Sequence, residues 1–277
     1  MRIRVPGVIT SRSPLGQQLA VAVDAAITVS VEEESLDWIV AHHDPRLAHD
    51  QTNMIVSVAE RTAPWLLPHH LQVTSTLPVG QGLGGSNAAT LAGILLANKL
   101  ARLDLSQAEI IAAASRYEPY PAALAAAMEG GMQFVELTSG QPRKVPLAQF
   151  QWFIYCPSQF VEASVPSHFT STNATSEDYQ RLIRALSQGD DAWLRHHFPI
   201  ENLRSQVTAE YYPQAEMVSR AVLKCGGYGC FAAGNGPALV CLAPPTAARF
   251  ETLLRRSLTA GDLLHLDINT TGALVTD

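Results

Sequence analysis

Several features that would place a protein at a glance are missing from this sequence. No run of about 18 apolar residues occurs, so no stretch reads as a membrane span. Met1-Arg-Ile-Arg-Val opens as a strand and lacks the apolar block of a signal peptide, so a cytoplasmic chain without a membrane partner is expected. Charge is scarce at 16% and its balance is acidic, with a net charge of −6. That argues against a nucleic-acid partner and leaves room for a local nucleotide site. Cysteine is rare: Cys156, Cys225, Cys230 and Cys241 form no Cys-x-x-Cys pair, and three of the four sit in apolar stretches. Reduced core thiols are expected rather than disulfides or a metal site. No Gly-Lys-Ser/Thr follows the glycine-rich stretch, which excludes a Walker loop. Repeats and low-complexity tracts are absent.

What is present is a large apolar share, 47% over 277 residues, enough for one large domain or two intimate ones. Its organising stretch is 77–92, Leu-Pro-Val-Gly-Gln-Gly-Leu-Gly-Gly-Ser-Asn-Ala-Ala-Thr-Leu-Ala. Residues 70–77 before it alternate as a half-buried strand does, and residues 86–100 after it are Ala- and Leu-rich, as a buried helix is. Between them lie Gly80, Gly82, Gly84 and Gly85. Glycine allows positive φ and close backbone approach, and a helix N-terminus offers unpaired N–H groups and a positive dipole end. Strand, glycine loop and helix start together make a phosphate cradle. Ser86 and Asn87 are placed to cap the helix or to reach a phosphate oxygen or metal ion. A tight turn with a capped helix is the plain alternative.

Around this stretch, residues 2–6 read as a short strand stopped by Pro6, followed by a small polar loop to Gly16 that contains Arg12. Residues 19–33 alternate as a long strand, and residues 53–63 carry a helical pattern ended by Pro64. His42 and His43 read as exposed. Ser106-x-x-Glu109 is a capping box for a helix from Gln107 to about Tyr117, and 122–128 form a second short helix beyond Glu118-Pro-Tyr-Pro. A strand is expected at 130–137 and a domain seam near 140–146. The second half reads as strands at 151–156, 230–233, 238–242 and 263–269, with helices at 176–188, 190–198, 210–224 and 246–258 and a Ser/Thr-rich loop at 164–176. The whole is an α+β chain with helices on antiparallel sheet.

Pro78-x-x-x-Gly82-Leu83-Gly84-Gly85-Ser86-x-Ala88-Ala89 resembles the second motif of the GHMP small-molecule kinases, Pro-x-x-x-Gly-Leu-Gly-Ser-Ser-Ala-Ala. Phe231-Ala-Ala-Gly234-Asn235-Gly-Pro-Ala238 is similar to the closing glycine segment of the homoserine-kinase subgroup. So are Leu19-Ala-Val-Ala-Val-Asp24, Gly130-Gly-Met-Gln133 and the terminal Thr271-Gly-Ala-Leu-Val275. The resemblance runs from end to end. Residues 84–90 also resemble the loop of an isoprenoid-pathway GHMP kinase, without that enzyme's first-loop lysine.

The resemblance implies a GHMP-kinase two-domain fold, with a half like ribosomal protein S5 domain 2 over 1–140 and a ferredoxin-like half over 141–277. It implies ATP on Gly80, Gly82, Leu83, Gly84, Gly85, Ser86 and Asn87, adenine near Asn53, and Mg²⁺ at Ser86 and Glu118, the pair placed at the chemistry. It also implies a small hydroxylated acceptor near Ser11, Arg12, Gln17, Arg204, Gly234 and Asn235, and a homodimer. At the acceptor positions the chain departs from the family. Ser11 and Gln17 stand where the first loop has Asn and Asp, and Tyr120-Pro-Ala-Ala123 stands where the family has His/Tyr-Pro-Asp-Asn. Losing those carboxylates removes the partner of a substrate ammonium, so the expected activity is homoserine-kinase-like with an altered acceptor pocket. A non-catalytic nucleotide-binding protein on the same fold is the alternative.

Overall fold

The computed structural model describes residues 1–12, 16–136, 140–158, 176–201, 212, 214–258 and 260–277. Its spine is a pair of long strands, β1 (Arg2–Arg12) and β2 (Gln18–Glu34), paired antiparallel along their length. Pro6 does not end β1 as expected. The register shifts between Pro6 and Gly7, and that bulge lets a residue without an N–H sit in a paired strand.

On its other edge β2 serves two partners. Its later half pairs with β4 (His69–Ser75), and its start pairs with β5 (Met132–Val135). The short β3 (Ile39–Ala41) lies parallel to β4 as the sheet edge, β6 (Pro142–Val145) extends β5, and β11 (Leu274–Thr276) lies beside β1. The stretch read as a seam at 140–146 is therefore mostly strand in the first sheet. Three helices back this sheet. They are α1 (Met54–Thr62), α2 (Gly85–Leu100) and α4 (Pro121–Glu129), with α3 (Gln107–Ala114) alongside. α2 is buried nearly all round, as its Ala/Leu run requires. Gly93 lets α1 pass close: a β-carbon there would lie 2.5 Å from the Ile55 carbonyl oxygen. The Ser106–Glu109 capping box opens α3 as expected.

The second sheet has the order β10-β7-β9-β8, antiparallel throughout, from β7 (Gln151–Cys156), β8 (Gly229–Ala232), β9 (Leu239–Ala243) and β10 (Asp262–Leu266). Strand alternation divides its side chains between two cores. Trp152, Ile154, Val240 and Leu242 join the core of the first sheet. Phe153, Tyr155, Leu239 and Cys241 join a second core with α7 (Ala215–Lys224) and α8 (Phe250–Ser257). Two further helices, α5 (Ser176–Gln188) and α6 (Asp191–Glu201), place Tyr179, Ile183, Leu186, Leu194 and Phe198 in the first core. The 164–175 part of the expected loop and the start of the expected 210–224 helix lie outside the described residues. All four cysteines are free, with Cys156, Cys230 and Cys241 buried. Among the described residues no helix is long and apolar enough to cross a membrane.

Candidate active site

Between β4 and α2 the chain turns through Gly80, Gly82 and Gly84 at φ of 76°, 86° and 70°. Leu83 is the turn's anchor: its side chain is fully buried and its carbonyl accepts from Val8 N–H at 3.0 Å. Gly84, in the left-handed region, is the N-cap of α2, and no side chain caps the helix. Of the two roles open to Ser86 and Asn87, capping is thus not the one taken. The first helical bond runs from Ala88 N–H to Gly84 O at 2.9 Å. The turn before it, Gly85, Ser86 and Asn87, faces an open cleft of about 660 Å³. An uncapped helix start on a cleft wall is a site for anionic oxygen.

Ser86 is turned away from capping because its Oγ donates to Glu118 Oε1. Glu118 follows α3 and is nearly buried, 8% exposed. Burial raises its carboxyl pKa above the ordinary value, and the Ser86 hydrogen bond opposes that rise. These are hard oxygen donors side by side, the type Mg²⁺ takes, and no cluster of three acidic, His or Cys ligands exists among the described residues. Magnesium commonly binds through one or two carboxylates plus phosphate oxygens and water, so this donor set fits it.

The second glycine loop, Gly234-Asn235-Gly236, closes the cleft from the other half of the chain. The two loops meet backbone to backbone. A β-carbon at Gly82 would overlap the Ala233 carbonyl oxygen, and one at Gly236 would overlap the Gln81 backbone. Gly85 differs: a β-carbon there meets nothing within 4 Å. Gly85→Ser is therefore expected to leave the fold unchanged within about 0.5 kcal/mol, as for an open surface position. A melting temperature within about 2 °C of wild type would bear this out.

Asn53 also lines the cleft, but its side chain is already engaged. Oδ1 caps α1 at Ile55 N–H, and Nδ2 donates to Ala48 O at 2.7 Å. Beside it His42 stacks on His49 with ring centroids 4.0 Å apart, and Arg46 is held by Asp44 at 2.6 Å. His42 is half-buried and faces the cleft, against the expectation of exposure. Thr10, His42 and Arg46 line the cleft and were not foreseen, sitting on a strand end and a loop without a motif; Tyr120, from the family-matched Tyr-Pro stretch, lines it too.

The expected acceptor residues divide. Gly234 and Asn235 line the cleft, whereas Ser11 and Gln17 do not, and Gln17 is buried at 1% exposure. Ala122 and Ala123 are buried as well. Arg204 and the side chain of Arg12 lie outside the described residues.

Two sheets backed by helices, with a glycine turn and an uncapped helix facing a cleft closed by a second glycine loop, define a phosphate-binding small-molecule enzyme. Comparison with known proteins makes the assignment specific. The family described as "GHMP kinases N terminal domain" matches residues 53–131. The homoserine kinase of Limosilactobacillus fermentum is 30% identical over 285 residues, covering 99% of this chain and 100% of that one. The homoserine kinase of Streptococcus gordonii is 28% identical over 286 residues, covering 99% of each. A crystal structure of homoserine kinase from Cytophaga hutchinsonii superposes with a TM-score of 0.79 at 19% identity, over 100% of this chain and 97% of that one. The chain belongs to the GHMP kinase family. Within it, the protein is a homoserine-kinase-like ATP phosphotransferase with an alcohol group as acceptor.

Proposed function

We propose that this kinase phosphorylates a small neutral or anionic hydroxy compound in preference to a zwitterionic one. One observation carries the reading: Glu118 is the only carboxylate among the described residues lining the cleft, and Ser86 already engages it. A substrate ammonium entering this cleft finds no free anionic partner among the described residues that line it. Burying one unpaired costs several kcal/mol, which a neutral or anionic acceptor avoids.

In this reading the α2 N-terminus and the glycine turn hold the phosphates of ATP, and the loop at Gly234 to Gly236 closes the cleft with Gly234 and Asn235 toward the acceptor. Ser86 and Glu118 would hold Mg²⁺, which would supply charge neutralisation for the phosphates. The acceptor's alcohol oxygen forms a bond to the γ-phosphorus as the bridging P–O bond breaks, ADP leaves, and the hydroxyl proton passes to solvent water. Such a transfer depends chiefly on positioning and electrostatics, so no side-chain base is required of the cleft. A homodimer and a cytoplasmic setting complete the proposal.

Initial rates with Mg–ATP on homoserine and on 4-hydroxybutanoate, its equal-sized analogue without the amine, test the acceptor preference. The hydroxy acid is expected to lead in kcat/KM. Homoserine ahead by about tenfold or more, a difference near 1.4 kcal/mol, would overturn the altered pocket. No rate with either, despite tight ATP binding, would favour a non-catalytic nucleotide-binding role.

A further inference from the structure

Beyond the cleft wall, one side chain from the second half of the chain is tied to the strand end that enters the cleft. Tyr179 on α5 is 5% exposed, and its Oη donates to the Ser11 carbonyl at 2.8 Å. Its ring lies against Phe134 with centroids 6.2 Å apart at 42°. Phe134 is fully buried on β5 opposite Leu19 of β2, and Leu19 is itself the register partner of Ser11. Tyr179 therefore grips one rung of the β1–β2 ladder, by hydrogen bond on one strand and through Phe134 on the other. The residue before Ser11 is Thr10, which lines the cleft. Its Oγ1 lies 3.0 Å from where a β-carbon on Gly234 would stand.

We propose that Tyr179 is a positioning residue for the acceptor: by holding Ser11 it sets Thr10 against the closing glycine loop on the acceptor side of the cleft. The inference rests on the kinase reading above. Tyr179 does not act on the nucleotide side, because the phosphate turn has its own restraints. These are the Val8–Leu83 backbone bond and the interlock of Gly82 with Ala233 and Gly236. Nor is Tyr179 part of the second core, since α5 packs wholly into the first. A hydrogen bond from a phenol to a strand carbonyl removes little stability when lost, yet a small displacement near reacting atoms weighs heavily on substrate placement.

The test is Tyr179→Phe, which keeps the ring and deletes the hydroxyl, beside Tyr179→Leu, which deletes both. For Tyr179→Phe the acceptor KM is expected to rise about fivefold or more, with ATP KM and kcat within about twofold of wild type. Its melting temperature should stay within about 2 °C, whereas Tyr179→Leu should melt lower and raise the acceptor KM at least as much. Hydrogen exchange should quicken at residues 9–12 and 16–19 in Tyr179→Phe and stay unchanged at 82–88. An acceptor KM like wild type, or acceptor and ATP KM rising together, would overturn the role; so would unchanged exchange at residues 9–19. Wild-type protein that binds ATP yet phosphorylates neither homoserine nor 4-hydroxybutanoate would instead fell the kinase reading. The outcomes are separate.

Discussion

Gly82→Ala is expected to abolish ATP binding and to destabilise the protein. At φ of 86° the position favours glycine, and an alanine there carries a backbone penalty of about 1–2 kcal/mol. The larger effect is contact. The new β-carbon would overlap the Ala233 carbonyl oxygen and crowd the Gly236 N–H, so the two loops must part. Parting them moves Leu83 off its backbone bond to Val8 and tilts the turn that presents the α2 N-terminus. Together these effects suggest a loss of about 3 kcal/mol and a melting temperature lower by roughly 6–10 °C for a chain of this size. Calorimetry with a non-hydrolysable ATP analogue is expected to find affinity reduced about 100-fold or more, the counterpart of some 2.7 kcal/mol. A folded Gly82→Ala protein with wild-type affinity would remove this turn from the nucleotide site. Gly85→Ser serves as the stability control, lying in the same turn with no protein atom in the way of its side chain.

Glu118→Gln is expected to remove most activity while leaving the metal-free fold as stable as wild type near neutral pH, or more so. The amide keeps an acceptor for Ser86 Oγ and fills the same volume, but carries no charge for a cation. Losing an electrostatic partner at a phosphoryl-transfer centre typically lowers kcat/KM by about 100- to 1000-fold. The stability effect follows from the raised carboxyl pKa. The folded state holds this proton more tightly than the unfolded chain, whose value is near 4.5. Its contribution to stability is thus complete below that value and is lost as pH rises through the higher folded value. Measured without metal from pH 4 to 8, wild type should therefore lose stability relative to Glu118→Gln as pH rises. A difference that grows in wild type's favour with pH would mean the carboxylate is stabilised in the fold, not strained by burial.

Much of this architecture was legible because it rests on long periodic signals. The Ala/Leu run of α2, the capping box of α3 and β7 at 151–156 appear where the sequence places them. β7 also shows why alternation is informative: its odd and even residues serve different cores. The misses are short or locally contradictory. β3 and β11 have three residues each, too few to carry a period, and β6 carries two exposed charges. Pro6-Gly7 looks like a stop, and only pairing with β2 carries the strand through it.

At the site, the glycine turn announced itself through composition, and Glu118 came from the family resemblance rather than from spacing. His42, Arg46 and Thr10 had no signal, since loop residues reach a cleft by tertiary placement alone. Ser11 and Gln17 were expected in the cleft because the first loop of relatives is there. Here Gln17 is packed inward, which no local pattern predicts.

The interlock of the two glycine loops also has a consequence for how the protein is made. Gly82 and Gly236 are neighbours in space but belong to opposite halves of the chain. On the ribosome the first sheet can pair β1, β2, β4 and β5 long before Gly236 has been synthesised. Contacts between such distant residues form late, because the loop they close is long. A nascent chain therefore carries the glycine turn without the backbone that braces it until the second half of the chain has emerged.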